Sequence, residues 1–200
     1  MEKRQRNKPL VSNIVRGEYS NSVSIIAGQW RGTKLQVADV NGLRPTSARI
    51  RETLFNWLQN DIRGSHCLDL FAGSGALGLE AASRGAAAVT LVDEHPQLCQ
   101  QLQKTIDRLS ATQASIVCQD AMHFLQNDAT AYSLVFLDPP FQAQLLKPCC
   151  HALEHNGWLT NHAKIYIETD KHSLLDDLPD NWQPLRSKIA GEVAYRLFQR

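Results

Sequence analysis

The sequence predicts an α/β protein built on a doubly wound, mainly parallel sheet. Apolar runs near residues 66–71, 87–92, 114–118 and 132–137 alternate with helical stretches near 76–84, 96–109, 121–126 and 144–154. Such alternation marks parallel strands joined by crossover helices. The first run feeds a glycine-rich turn, Gly73-Ser74-Gly75-Ala76-Leu77-Gly78, of the kind that joins a strand to a helix beside a bound nucleoside. Acids then close the later runs: Asp93, Asp120 and Asp138 all fall where a strand would meet the carboxyl edge of the sheet.

Residues 1–22 are polar and basic and are expected to form a flexible tail. Val23 to Ala27, a turn over Gly28 to Gly32, and Thr33 to Val37 read as a short hairpin. Thr46 or Ser47 can cap a helix running to about Gln59, with Ile50, Leu54, Phe55 and Leu58 on its apolar face. The four strand–helix pairs follow. A further strand, Lys164-Ile165-Tyr166-Ile167-Glu168, comes after Gly157-Trp158-Leu159. The chain closes on a second hairpin, Gln183 to Ile189, a turn at Ala190-Gly191, and Val193 to Phe198. Three regions result: the tail (1–22), a hairpin and helix (23–63), and the domain that holds the strand–helix alternation (64–200).

Two hundred residues suit one domain with a full core. The net charge of +1 hides an asymmetry. Residues 1–63 hold 11 Lys/Arg against 5 Asp/Glu, a net of +6, whereas residues 64–200 hold 10 against 15, a net of −5. The basic end is therefore a candidate phosphate-binding surface, with a solubilising extension as the plainer reading of its first 20 residues. Five cysteines, at 67, 99, 118, 149 and 150, show no CxxC spacing. Cys67 and Cys118 read as small core residues, and the odd count suits a reducing compartment. The basic start lacks a following apolar segment and no 18-residue apolar stretch occurs, so a cytoplasmic protein without a membrane span is expected.

The chemistry concentrates in two segments. Asp138-Pro139-Pro140-Phe141 follows the buried run Tyr132 to Leu137. Neither proline can donate a backbone hydrogen bond, each fixes its own φ, and the first holds Asp138 extended. The corner presents a carboxylate and free carbonyls beside an aromatic face, which suits a planar base bearing an exocyclic amino group. Upstream, the glycine-rich turn follows Cys67-Leu68-Asp69-Leu70-Phe71, and Asp93 lies 20 positions after Gly73. An acid at that spacing can grip a ribose diol. A dinucleotide and S-adenosylmethionine both fit this pattern. Three acids favour the second: Asp69 would repel a pyrophosphate but attract a sulfonium, Asp120 can read an adenine amino group, and Asp138 ends a corner for which a dehydrogenase has no use.

The segments Asp69 to Gly78 and Asp138 to Phe141 together resemble a class I methyltransferase acting on an exocyclic amino group. Three N-terminal stretches, Gly28 to Gly32, Gly42 to Thr46 and Arg49 to Asn56, narrow the resemblance to the RsmD family. It runs from about Ile25 through the closing Ala190 to Leu197. The resemblance implies a Rossmann-like fold with a mainly parallel seven-stranded sheet, one antiparallel strand and a small N-terminal extension. It implies methyl transfer from S-adenosylmethionine to the 2-amino group of one guanine, 966 in the usual numbering, of 16S rRNA. The substrate would be that RNA or the assembling small subunit, and the protein a monomer needing no metal.

On this reading the catalytic residues are Asp138, Pro139, Pro140 and Phe141. The cofactor-binding residues are Asp69, Phe71, Ala72, Gly73, Ser74, Gly75, Asp93, Asp120 and Ala121. Arg31, Lys34, Arg44, Arg49 and Arg51 would face RNA from the 23–63 segment, though Arg44, Arg49 and Arg51 can instead order the active-site edge or form a solvated helix face. Trp30 can stack on RNA or cover the core. His151 and His155, at metal-binding spacing but without a third ligand, read as a helix-surface pair. Other readings remain: a DNA amino-methyltransferase, disfavoured because no separate target-recognition domain is evident; a nicotinamide-dependent oxidoreductase; and a non-enzymatic RNA-binding module.

Overall fold

The computed structural model describes residues 22–37, 46–140 and 144–200. The basic tail, Arg44 and Phe141 lie outside the described residues. The chain opens with β1 (Ser22–Ser24) and β2 (Lys34–Gln36), paired antiparallel with Val23 opposite Leu35. Helix α1 (Ala48–Trp57) follows, and Ser47 caps it by accepting from the N–H of Ile50.

The main sheet takes β3 (His66–Asp69), β4 (Ala88–Asp93), β5 (Ala114–Cys118), β6 (Tyr132–Leu137), β7 (Leu159–Asp170), β8 (Gln183–Ala190) and β9 (Val193–Gln199). Their order across the sheet is β5-β4-β3-β6-β7-β9-β8, and β9 runs antiparallel to both its neighbours. Between the early strands lie α2 (Gly78–Ser83), α3 (Pro96–Leu109), α4 (Ala121–Phe124) and α5 (Leu146–His155). The seven strands and single antiparallel member match the expectation.

Alternation along the buried strands builds two cores. Cys67, Leu134, Phe136, Tyr166, Tyr195 and Leu197 pack on one face with α1, α2 and α3. Leu68, Val135, Leu137, Ile165, Ile167 and Phe198 pack on the other with α4 and α5. Because successive side chains point to opposite faces, continuous apolar runs fill both layers at once. After β5 the chain crosses back to β6 on the other side of β3, so β3 and β6 flank the point where strand order reverses. Ligands of such sheets bind outside the strand ends at that point.

Two details differ from the sequence expectation. Strand β7 begins at Leu159 rather than near 164, and its pairing with β6 shifts register between Tyr132 and Leu134. Cys118 is exposed rather than a core residue, because β5 is the outer strand of its side of the sheet.

The N-terminal hairpin and α1 belong to the first core: Ile25, Trp30, Leu35, Ile50, Leu54 and Phe55 are all buried in it. Glu80 of α2 fastens them. Its oxygens accept from the N–H groups of Ile26 (2.6 Å) and Ala27 (3.0 Å) and from Nε of Arg84 (2.7 Å). Gly28 seats the turn against the end of α2; with φ +82°, a Cβ there would lie 1.9 Å from the Ser83 carbonyl oxygen. Trp30 is buried and covers the core.

Candidate active site

Strands β3, β4 and β6 bring Asp69, Asp93 and Asp138 to one edge. Asp69 closes β3 inside the protein, and its Oδ2 accepts from the N–H of Gly78 at 2.9 Å. Burial pushes its carboxyl up to about 7, with the charges of Asp138 and Asp93 adding to the rise and the Gly78 bond opposing it. Asp93 closes β4. Its Oδ2 accepts from the N–H of Gly73 and its Oδ1 from that of His95, both at 2.9 Å. The acid 20 positions after the first glycine therefore clamps the glycine loop directly, and its Oδ1 also lies 3.1 Å from Nδ1 of His95.

The glycines also serve the packing of the loop itself. A Cβ on Gly75 would lie 2.6 Å from Leu102, and one on Gly78 would lie 2.4 Å from Leu91. Both are needed to close the loop onto the core. Gly73, with φ +53°, turns its N–H to Asp93. Phe71, Gly73 and Ser74 are partly exposed, and Ala72 and Gly75 are buried. Asp120 is exposed at the end of the β5 segment and caps α4, its Oδ1 accepting from the N–H of His123, with Ala121 buried behind it.

Asp138 follows the last residue of β6 and is half-buried, with Pro139 buried and Pro140 exposed. Thr46 donates its hydroxyl to Oδ2 of Asp138 at 3.1 Å. The two hydroxyls before α1 thus divide the work, Ser47 capping the helix and Thr46 holding the carboxylate. Burial pushes the Asp138 carboxyl up to about 6, opposed by the Thr46 bond.

Asp69 and Asp138 have no cationic partner among the described residues; burial raises both carboxyls, and the charges of Asp138 and Asp93 add to the rise at Asp69. Such a set fits a ligand that carries positive charge and repels a pyrophosphate. S-adenosylmethionine, with a sulfonium, an adenine and a ribose diol, meets that requirement. Asp69 would face its cationic part, Asp93 its diol and Asp120 its adenine.

The expected RNA-facing cations separate into two kinds. Arg31, Lys34 and Arg49 are exposed. Arg51 is not, and its assignment to RNA is corrected: it is 1% exposed, donates to the carbonyls of Thr46 (3.3 Å) and Ser24 (3.0 Å), and lies 3.7 Å from Glu80. Arg49 lines a groove with Thr53, Tyr195 and the hairpin residues Lys188 to Gly191, where Ile189 is 63% exposed. The sequence reading passed over Lys188. His151 and His155 stack at 4.1 Å on α5.

Comparison with known proteins agrees with this architecture. The family model described as Conserved hypothetical protein 95 matches residues 23–199. Ribosomal RNA small subunit methyltransferase D of Escherichia coli (strain K12) is 51% identical over 181 residues, spanning 90% of this chain and 91% of that protein. The protein of the same name from Haemophilus influenzae is 46% identical over 181 residues, spanning 88% and 93%. The solved structure of yhhF from Escherichia coli superposes with a TM-score of 0.84 at 49% identity, covering 90% of this chain and 98% of that one. The extent of these matches across both the glycine loop and the Asp-Pro-Pro corner places the chain in the RsmD family, described as conserved hypothetical protein 95.

Proposed function

We propose that the protein transfers a methyl group from S-adenosylmethionine to the exocyclic 2-amino group of one guanine of 16S rRNA, position 966 in the usual numbering. The reaction class rests on one observation above the others. Asp138 ends β6 beside the acid-lined edge, held by Thr46 and followed by two residues that cannot donate backbone hydrogen bonds. The substrate rests on the names of the relatives.

S-adenosylmethionine would supply a methyl group activated on a sulfonium, with the methyl–sulfur bond breaking to leave S-adenosylhomocysteine. The chain's residues position the acceptor. The guanine amino lone pair is delocalised into the ring, so the nitrogen is a weak nucleophile. Asp138 accepts one amino hydrogen and the Pro139 carbonyl the other, which localises the lone pair and aims it. Asp138 then opposes the positive charge that develops on nitrogen and receives the proton released after transfer. With its carboxyl raised to about 6, it is ionised at neutral pH yet more basic than an exposed aspartate. By sequence, Phe141 is the aromatic residue that would stack on the base. Unstacking a guanine from folded RNA costs roughly a few kcal/mol, and phosphate contacts from exposed Arg31, Lys34 and Arg49 help offset it. Arg44 stands with them by sequence.

The test is transfer of labelled methyl groups from S-adenosylmethionine to small subunits taken from cells that lack this activity. Label on the RNA that disappears with Asp138→Ala supports the reading. Label that persists in that variant contradicts the mechanism, and affinity for a nicotinamide dinucleotide in place of S-adenosylmethionine contradicts the reaction class.

A further inference from the structure

The mechanism leaves one buried acid unused. Glu168 lies in β7, is 5% exposed, and forms no ion pair among the described residues. Leu137 of β6 pairs with Ile167 of β7 in the parallel ladder. The next residue on each strand is therefore Asp138 on one and Glu168 on the other. Alternation sends both toward the α1 face, with Phe136 and Tyr166 beneath them. Tyr166, itself fully buried, donates its hydroxyl to Oε2 of Glu168 at 2.8 Å. The Thr46 hydroxyl, which donates to Asp138, also lies within hydrogen-bonding reach of Glu168.

One hydroxyl thus serves two carboxyls, and it carries one proton. It can donate to only one of them and must accept from the other. We propose that Glu168 is a positioning residue for Asp138: as the neutral acid, it donates to Thr46 and so commits the Thr46 proton to the Asp138 carboxylate. The chain of donation then runs from Glu168 through Thr46 to Asp138, with Tyr166 holding the other oxygen of Glu168. Ionised Glu168 would compete for the Thr46 proton and release Asp138 from its aligned position. This inference rests on the proposed methyl transfer at Asp138.

The surroundings keep Glu168 neutral. The groups that face it are Tyr166 of its own strand, Asp138 beyond β6, Thr46 ahead of α1, and Tyr195, its partner across β9. None is a cation. Lys188 of β8 pairs with Tyr195 one strand further out. Burial, and then the charge of Asp138, push the Glu168 carboxyl up to about 8, outweighing the Tyr166 and Thr46 hydrogen bonds, which favour the ionised form.

Two variants separate positioning from mere packing. Glu168→Gln keeps an oxygen for Tyr166 and a donor for Thr46 but cannot ionise. Glu168→Leu loses both bonds. Single-turnover methyl transfer at saturating S-adenosylmethionine is measured from pH 6 to 9.5. The wild-type rate should fall as pH rises through about 8, where Glu168 ionises, whereas Glu168→Gln should show no such fall. Glu168→Leu should lose about tenfold or more at pH 7, as expected for an acceptor that is no longer held. Glu168→Gln should recover most of that loss, and S-adenosylmethionine affinity should change less than twofold in both.

A Gln variant that keeps the alkaline fall, or one as slow as the Leu variant, overturns the proposal. Carbon-13 carboxyl NMR of the free protein tests it without any substrate. A Glu168 signal titrating near 8 supports it, and one titrating near the ordinary glutamate value of about 4.3 overturns it. Failure of wild type to methylate the subunit, with that NMR signal near 8, contradicts the proposed substrate instead.

Discussion

Thr46, two residues ahead of α1, hydrogen-bonds across 92 positions of sequence to Oδ2 of Asp138 at the end of β6. The contact couples the N-terminal extension to the Asp-Pro-Pro corner. Asp138→Ala should reduce methyl transfer below about one-hundredth of wild type, the loss expected for one preorganised acceptor. Thr46→Val, which keeps the side-chain volume and removes the donor, should cost roughly tenfold. Single-turnover rates compare the two, and near-normal turnover in Asp138→Ala would sink the mechanism.

Asp69 gives a dependence on pH with a definite sign. Its folded value of about 7 lies above the ordinary aspartate value of about 3.9, so the folded state holds the proton more tightly than the unfolded chain. Stability from this group is full below the unfolded value and is lost as pH rises through about 7. Asp69→Asn keeps an acceptor for Gly78 and removes that loss. It should raise the melting temperature of the free protein more at pH 8 than at pH 5, while weakening S-adenosylmethionine binding. Thermal melts with and without the ligand at both pH values check this, and an equal shift at the two would contradict it.

Arg51 and Glu80 predict a stability effect without direct chemistry. They are 1% and 0% exposed and join α1 to α2 beneath the N-terminal hairpin. Removing one partner of a buried pair leaves the other uncompensated, which typically costs about 3–5 kcal/mol. Glu80→Ala should show a loss of that order in urea unfolding, with faster hydrogen exchange at Ile26 and Ala27, whose N–H groups it holds. Unchanged exchange there would mean the hairpin is held by its apolar contacts alone.

Arg49 and Lys188 line the same groove from α1 and β8, and neither forms an ion pair among the described residues. Replacing either by Ala should raise the KM for RNA while leaving kcat and S-adenosylmethionine affinity nearly unchanged. If each meets a phosphate of single-stranded RNA, the slope of log affinity against log salt should shrink by about 0.7 per residue. A salt slope equal to wild type would remove the groove from the RNA path.

The fold was legible because parallel strands buried on both faces read as unbroken apolar runs, and the glycine loop and the Asp-Pro-Pro corner mark strand ends. Glu168 was missed although it carries the same mark, an acid closing an apolar run. No proline or glycine follows it to set it apart from the polar exit of an ordinary strand. Arg51 orders the Thr46 end of α1 rather than facing RNA, and its spacing carries the signal. Its position with Leu54, Phe55 and Leu58 falls on the apolar stripe of α1, and a long side chain there must find buried acceptors. Glu80 left a comparable trace: it sits in a helix of small and apolar residues, every one of which is buried. Thr46 had no such signal, since its partner lies far away in sequence.

The most direct measurement of the central claim is nucleoside analysis of 16S rRNA from small subunits incubated with the protein and methyl-labelled S-adenosylmethionine. The subunits should come from cells lacking the activity. The account predicts label as N2-methylguanosine at a single guanine, and none with Asp138→Ala. Label on a ring nitrogen, a ribose hydroxyl or a different base would contradict the assignment of the Asp138 corner to an exocyclic amino group.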